Sequence, residues 1–259
     1  MRHTQLGRLW HIRNRVSLRS VPRAHSLVGL IGSLLATVGT HGQSLRVSSA
    51  SDLLVTDPCV FAELLEAARP APVSAPDKAR ILAALPEEGE IRNLAVPLRQ
   101  KVEALSRVLS AAQRQSVYEV KIISLPQAAI VLHARAILVI SERTLSLLSA
   151  VELQAVVAHE IGHEYVWAEY EQAKTSTDHH QLQELELFCD AIAITMLHRL
   201  DIEASQLMRG IEKISRFNQE RMGTAINESD YPTVAQRRNF ARAVTTWLSR
   251  GSARTEACR

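Results

Sequence analysis

"AVVAHEIGHEYVWAEYEQ", residues Ala155–Gln172, sets His159 and His163 four positions apart, with Glu160 directly after the first histidine. Apolar residues recur around them at helical steps, so the stretch predicts a helix, and on a helix positions four apart share a face. Both imidazoles can then direct a ring nitrogen at one ion while Glu160 projects beside it. Zinc held by neutral imidazoles brings a bound water to a pKa of about 7, and an adjacent carboxylate can take the proton as that water attacks a peptide carbonyl. The His-Glu-x-x-His motif needs these residue types at this spacing for that reason. In a chain with ten histidines, a chance match has odds of roughly a few per cent, so the five residues require a third ligand before they make a site.

The following helical pattern supplies one. "ELELFCD", Glu184 to Asp190, carries Glu186 and Asp190 four apart on one face. Glu186 is the candidate third zinc ligand, which leaves a fourth position open for water. Asp190, one turn on, is placed to accept the other ring N–H of a ligand histidine and so fix its tautomer. About two dozen residues separate the motifs, enough for one helix to finish and an antiparallel one to return. Ser149 and Glu152 form a Ser-x-x-Glu capping box that starts the first helix. A helix from 150 to 172 would be about 34 Å long. Continuing the motif in the metzincin manner would require Gly at 166 and His at 169, where this chain has Val166 and Glu169.

Other residues near the motifs have plainer readings. Glu184 lies two positions from Glu186, about 200° around the helix, and reads as a solvated charge. His179 and His180 are rivals for the third ligand or for a substrate-side donor, but read first as loop and N-cap surroundings. His133 falls in a strand, and His198 ends a helix where a cation suits the dipole. Cys189 reads as a small buried hydrophobe, and Trp167 and Tyr170 as core or cleft wall. Arg237 and Arg238 either pair with core carboxylates or face water.

Outside the motifs, aromatic residues are scarce at 4% of a chain that is 46% hydrophobic, which favours helix over sheet and a real core over disorder. The formal charge of +3 is carried by an arginine-rich start; without Arg2, Arg8, Arg13, Arg15, Arg19 and Arg23 it becomes −3, and the body offers no electrostatic case for nucleic acid. That start runs into the apolar "SLVGLIGSLLATVGT", Ser26 to Thr40, shorter than the roughly 20 residues of a membrane span. Residues 1–42 therefore read as a signal peptide or N-terminal anchor, with a mitochondrial transit peptide as the second reading. Export permits a disulfide, and Cys59 with Cys258 is the pair that spares the helix of Cys189. Residues 43–95 read as a Ser-rich tether followed by short helices broken at Pro70 and Pro86. From 96 to 250 the pattern is an amphipathic helix from 97 to 115, three short strands between 116 and 141, the two motif helices, and two more near 202–221 and 232–249. Residues 251–259 form a tail.

"LSAVELQAVVAHEIGHEY" followed by "ELELFCDAIAI" resembles the gluzincin peptidases whose pattern is HExxH followed by ExxxD. That family includes the type 1 CAAX prenyl protease, the HtpX-like heat-shock membrane proteases and the BepA-like peptidases. The similarity extends over about 116–245, including "ILVISERTLSLLS" and "YPTVAQRRNFARA". It implies an α+β, mainly helical, zincin-like domain in which His159, His163 and Glu186 hold one zinc ion, Glu160 is the general base and Asp190 orients a histidine. It further implies that the strand near 136–140 borders the cleft and receives extended substrate by strand addition. The chain departs from the family in having Tyr231-Pro232 where members often carry His-Pro, which makes Tyr231 the candidate hydrogen-bond donor to the oxyanion. The expected function is zinc-dependent endoproteolysis of unfolded or extended protein substrates in an exported, envelope setting, with membrane association only through the N-terminal segment. A metal-binding, weakly catalytic chaperone-like or assembly module is the second expectation, and a helical interaction domain without metal the third.

Overall fold

The computed structural model describes residues 49–85, 89–222 and 230–252. The expected leader, the first residues of the tether, Cys258 and the end of the tail lie outside these. After one 3-10 turn at Asp52–Val55 come four α-helices: α1 Pro58–Ala67, α2 Ala75–Ala84, α3 Val96–Glu103 and α4 Leu105–Ala111. Prolines at the first turns of α1, α2 and α3 suit positions whose N–H has no helical partner. Strands β1 Glu119–Ile123, β2 Ile130–His133 and β3 Ile137–Ser141 follow. The chain then turns helical, through α5 Glu142–Leu147, α6 Ala150–Tyr165, α7 Trp167–Ser176, α8 His179–Arg199, α9 Ser205–Met222 and α10 Val234–Ser252. The protein is mainly helical with one small sheet.

That sheet has the order β1-β3-β2, with β3 parallel to β1 and antiparallel to β2. A tight turn at Ala134 and Arg135, both with positive φ, joins β2 to β3, the conformation that matches strand twist. β3 is the central strand, which corrects the expectation that the segment near 136–140 borders the cleft. Its main-chain groups are occupied on both sides, and the edge strand nearest α6 is β2.

The centre of the molecule is the pair α6 and α8. Every residue of α6 from Glu152 to Glu164 is buried, and so are most of α8 from Leu185 to Leu197, so both helices are enclosed on all sides. The capping box is formed as expected: Ser149 Oγ accepts from Glu152 N–H, and Glu152 accepts from Ser149 N–H at 2.8 Å. Gly162 lets the two helices approach. A Cβ there would stand 3.0 Å from Cys189 Cα and its carbonyl oxygen, tighter than normal packing. Small residues at 162 and 189 thus bring the ligand-bearing faces together.

Three local features differ from expectation. The expected helix 97–115 is two, because the chain turns at Ala104; α3 only rests Leu98 and Val102 against the core, while Leu105, Val108 and Leu109 of α4 are buried in it. The expected helix 150–172 breaks at Val166, whose ψ of 21° and φ of −121° leave the helical region. Residues 49–56, expected within a tether, are packed: Ala50 and Leu53 are buried, Ala50 N–H donates to Glu184 at 2.8 Å, and Trp247 of α10 donates to Thr56 O. Phe61 of α1 then stacks edge-on against Phe188 and Trp247, joining the first helix to α8 and α10.

Candidate metal centre

The i,i+4 geometry of α6 brings the two imidazoles side by side, ring centroids 5.0 Å apart and perpendicular. Across from them, one turn of α8 presents Glu186 and Asp190. His159 Nε2 lies 3.2 Å from Glu186 Oε2, and His163 Nε2 lies 3.7 Å from Glu186 Oε1. Both Nε2 atoms therefore face the same carboxylate. In a tetrahedral site with metal–ligand bonds of about 2.0–2.1 Å, ligand atoms are about 3.3 Å from one another, and the observed separations bracket that edge. Asp190 Oδ1 stands 2.9 Å from His159 Nδ1, off the line of a hydrogen bond. His163 Nδ1 meets the Cys189 sulfur at 3.5 Å.

Glu160 turns toward the sheet. Its Oε2 accepts the Leu132 N–H of β2 at 3.0 Å. The donor atoms of His159, Glu160 and His163 still lie within 4.8 Å of one another, a group able to hold a metal ion. Two carboxylates thus compete for a third ligand position. Glu186 has the stronger claim because it touches both Nε2 atoms, whereas Glu160 is drawn aside by the strand.

Two residues that the sequence left ambiguous complete the arrangement. Arg237 of α10 donates through one nitrogen to both Asp190 oxygens at 2.7 and 2.9 Å, and through the other to Glu186 Oε2 at 2.7 Å. Tyr170 of α7 donates to Glu186 Oε1 at 2.8 Å, with its ring 4.7 Å from that of His163. The break at Val166 is what permits this contact. On a continuous helix, Tyr170 would sit seven residues, or about 10.5 Å, beyond His163 along the axis.

Burial decides the electrostatics. His159, Glu160, His163, Glu186, Asp190 and Arg237 are each at most 7% exposed. Three carboxylates and one guanidinium leave a buried excess of negative charge when the imidazoles are neutral. Burial opposes a charged His159, yet its contacts with Asp190 and Glu186 prevail and raise its pKa from 6.5 to about 9. Burial likewise pushes Glu186 upward, but His163, His159 and Arg237 together hold it well below the usual carboxylate range. The Cys189 thiol is raised well above its ordinary value by burial and by Glu186 and Asp190, so it is a neutral thiol rather than a nucleophile.

The remaining expected residues fall as follows. Tyr231 is half-buried in the turn ahead of α10, beside Asp230, which pairs with His179 at the start of α8. Asp178 caps that helix by accepting from Gln181 N–H, so the His179 neighbourhood is an N-cap as read. Glu184 is not a solvated charge: it is half-buried on Ala50. A groove of about 1160 Å³ between the end of α8 and helices α9 and α10 contains none of the motif residues. Compared with protein-family models and with curated proteins, the chain matches none. Among the described residues, no helix is long and apolar enough to cross a membrane.

Proposed function

We propose that the protein is a zinc-dependent endopeptidase with a zincin-like domain, in which His159, His163 and Glu186 hold the ion. The observation that carries this reading is the convergence of two Nε2 atoms on one Glu186 carboxylate at ligand-edge distances, inside a buried pocket with too little positive charge. A zinc ion there would supply Lewis acidity and a water of lowered pKa. The chain's own residues do the rest. Glu160 receives the proton of the attacking water on its carboxylate and returns it to the leaving amine. Arg237 and Tyr170 clamp the two oxygens of Glu186 so that the carboxylate is pre-oriented. Tyr231 is the candidate donor to the oxyanion. Substrates are extended or unfolded protein segments, because an edge strand, β2, lies beside Glu160. Cys59 is disulfide-bonded, which fits the oxidising compartment expected for an exported protein.

A second reading is a metal-binding, weakly catalytic holding or assembly module of the envelope. The near-complete burial of the site favours it, since a peptide has to open the pocket before any chemistry. Replacing Glu160→Gln separates the two. Zinc content should persist while casein hydrolysis falls by about 10²-fold or more; equal cleavage by both proteins would remove Glu160 from the mechanism.

A further inference from the structure

Asn218, in α9, holds Ala128 with both ends of its amide. Its Oδ1 accepts the Ala128 N–H at 2.8 Å, and its Nδ2 donates to the Ala128 carbonyl at 2.9 Å. These are the two hydrogen bonds that a residue of a neighbouring strand would make. Ala128 leads directly into β2, and the register of that strand identifies which groups face outward. Ser141 N–H donates to the Ala129 carbonyl, so Ala129, Val131 and His133 pair toward β3, while Ala128, Ile130 and Leu132 present their groups to the outer side. On that side Leu132 N–H meets Glu160. The outer edge is therefore bracketed by the Asn218 amide at one end and the Glu160 carboxylate at the other. Their partners, Ala128 and Leu132, are four positions apart, about 13 Å of extended chain, of which β2 itself begins at Ile130.

We propose that Asn218 is a specificity-determining residue that limits how far a substrate strand can pair along β2, so that the cleft takes extended segments with about four residues on the Ala128 side of the cleaved bond. This rests on the endopeptidase reading above. A strand added to β2 bonds at every second residue, at Ile130 and, once Glu160 turns from the Leu132 N–H to the attacking water, at Leu132 as well. At Ala128 it meets a donor and an acceptor already taken. Longer pairing has to break both Asn218 bonds, so additional substrate residues bring no net hydrogen bond. The half-buried position of Asn218 makes the contact open to competition rather than sealed in the core.

The experiment uses a nested set of fluorogenic peptides that share one cleaved bond and are extended stepwise on either side, offered to the zinc-loaded protein and to Asn218→Ala. In the wild type, KM stops falling after about four residues on one side. In Asn218→Ala it falls a further 3- to 10-fold, roughly, by six residues on that side only. Asn218→Asp, which keeps the shape and the acceptor but loses the donor, should lie between them and serves if the alanine variant folds poorly. Identical length profiles in wild type and both variants would overturn the proposal. Amide hydrogen exchange provides a readout independent of turnover, in proteins that also carry Glu160→Gln. With Asn218→Ala the Ala128 amide should exchange quickly, and regain protection with a six-residue extension but not with a four-residue one. Protection by neither overturns the proposal even where cleavage persists. Protection as described without wild-type cleavage sustains the limit set by Asn218 and removes the endopeptidase reading instead.

Discussion

Two buried ionic clusters touch α6 on either side of its last turn, and they differ in how charge is balanced. Around Glu164 a single carboxylate accepts from Arg114 Nε at 2.6 Å and from Tyr118 OH at 2.5 Å, with Arg135 Nε 3.7 Å away. The same arginines donate to Pro70 O and Ala71 O, tying the proline-rich link between α1 and α2 to the end of α6. Around Glu186, one residue back on α6 and across to α8, Glu186 and Asp190 share the one guanidinium of Arg237, and a third carboxylate, Glu160, lies beside them on the Leu132 N–H. In the first cluster, the anchor, two guanidiniums face one carboxylate, so positive charge is in surplus, although Glu164 Oε1 accepts no hydrogen bond. The second is short of positive charge, and His159 answers by holding a proton up to a pKa of about 9. Side by side, they show why burial of charge alone does not mark a site: the cluster short of positive charge is the one that a divalent cation would complete.

Substitution should have its largest effect on the metal side. Glu186→Ala should lower zinc affinity by about 10²-fold or more, since it removes the carboxylate that both Nε2 atoms face. Wild-type affinity in that variant, measured by competition with a chelator, would show that Glu160 or another group is the third ligand. The anchor should behave in the opposite way. Arg114→Ala leaves Glu164 in the interior with a weaker partner, and should lower unfolding free energy by about 3–5 kcal/mol while zinc stoichiometry of the folded fraction is kept. Loss of zinc with unchanged stability would mean the two clusters are one unit.

A smaller effect follows from His159. Its pKa in the metal-free protein, about 9, is above the ordinary 6.5, so the stabilisation it brings is fully present below pH 6.5 or so and is lost as pH climbs through 9. Metal-free protein should weaken across that window by about 3 kcal/mol. Zinc has to displace the same proton, so its apparent affinity should climb by up to about tenfold per pH unit up to pH 9 and then level off. Denaturant melts and zinc titrations at a series of pH values check both trends; a pH-independent affinity would mean that His159 is already neutral.

The helix pair and the carboxylates facing it were legible in the sequence because i,i+4 spacing is a local property: His159 with His163 and Glu186 with Asp190 needed only a helical period. The capping box at Ser149 was legible for the same reason. Contacts that depend on a change of direction were not. Tyr170 reaches Glu186 because the chain leaves helical geometry at Val166, a single β-branched residue that propensity alone does not single out. Arg237 could be named as a partner for core carboxylates, but which ones depended on how α10 crosses α8. The position of β3 at the centre of the sheet was hidden because three short apolar runs carry no signal of their order. Residues 49–56 read as a tether by composition, yet Leu53 and Ala50 are buried, since a few apolar contacts suffice to dock a polar stretch.

The proposed zinc site is where the buried carboxylates Glu160, Glu186 and Asp190 surround His159 and His163. Metal analysis of the purified protein tests it most directly. One zinc ion per chain is expected, removed by chelation, restored by added zinc, and lost in His163→Ala. Well under one zinc per chain, unrecovered when zinc is supplied to correctly folded protein, would contradict it.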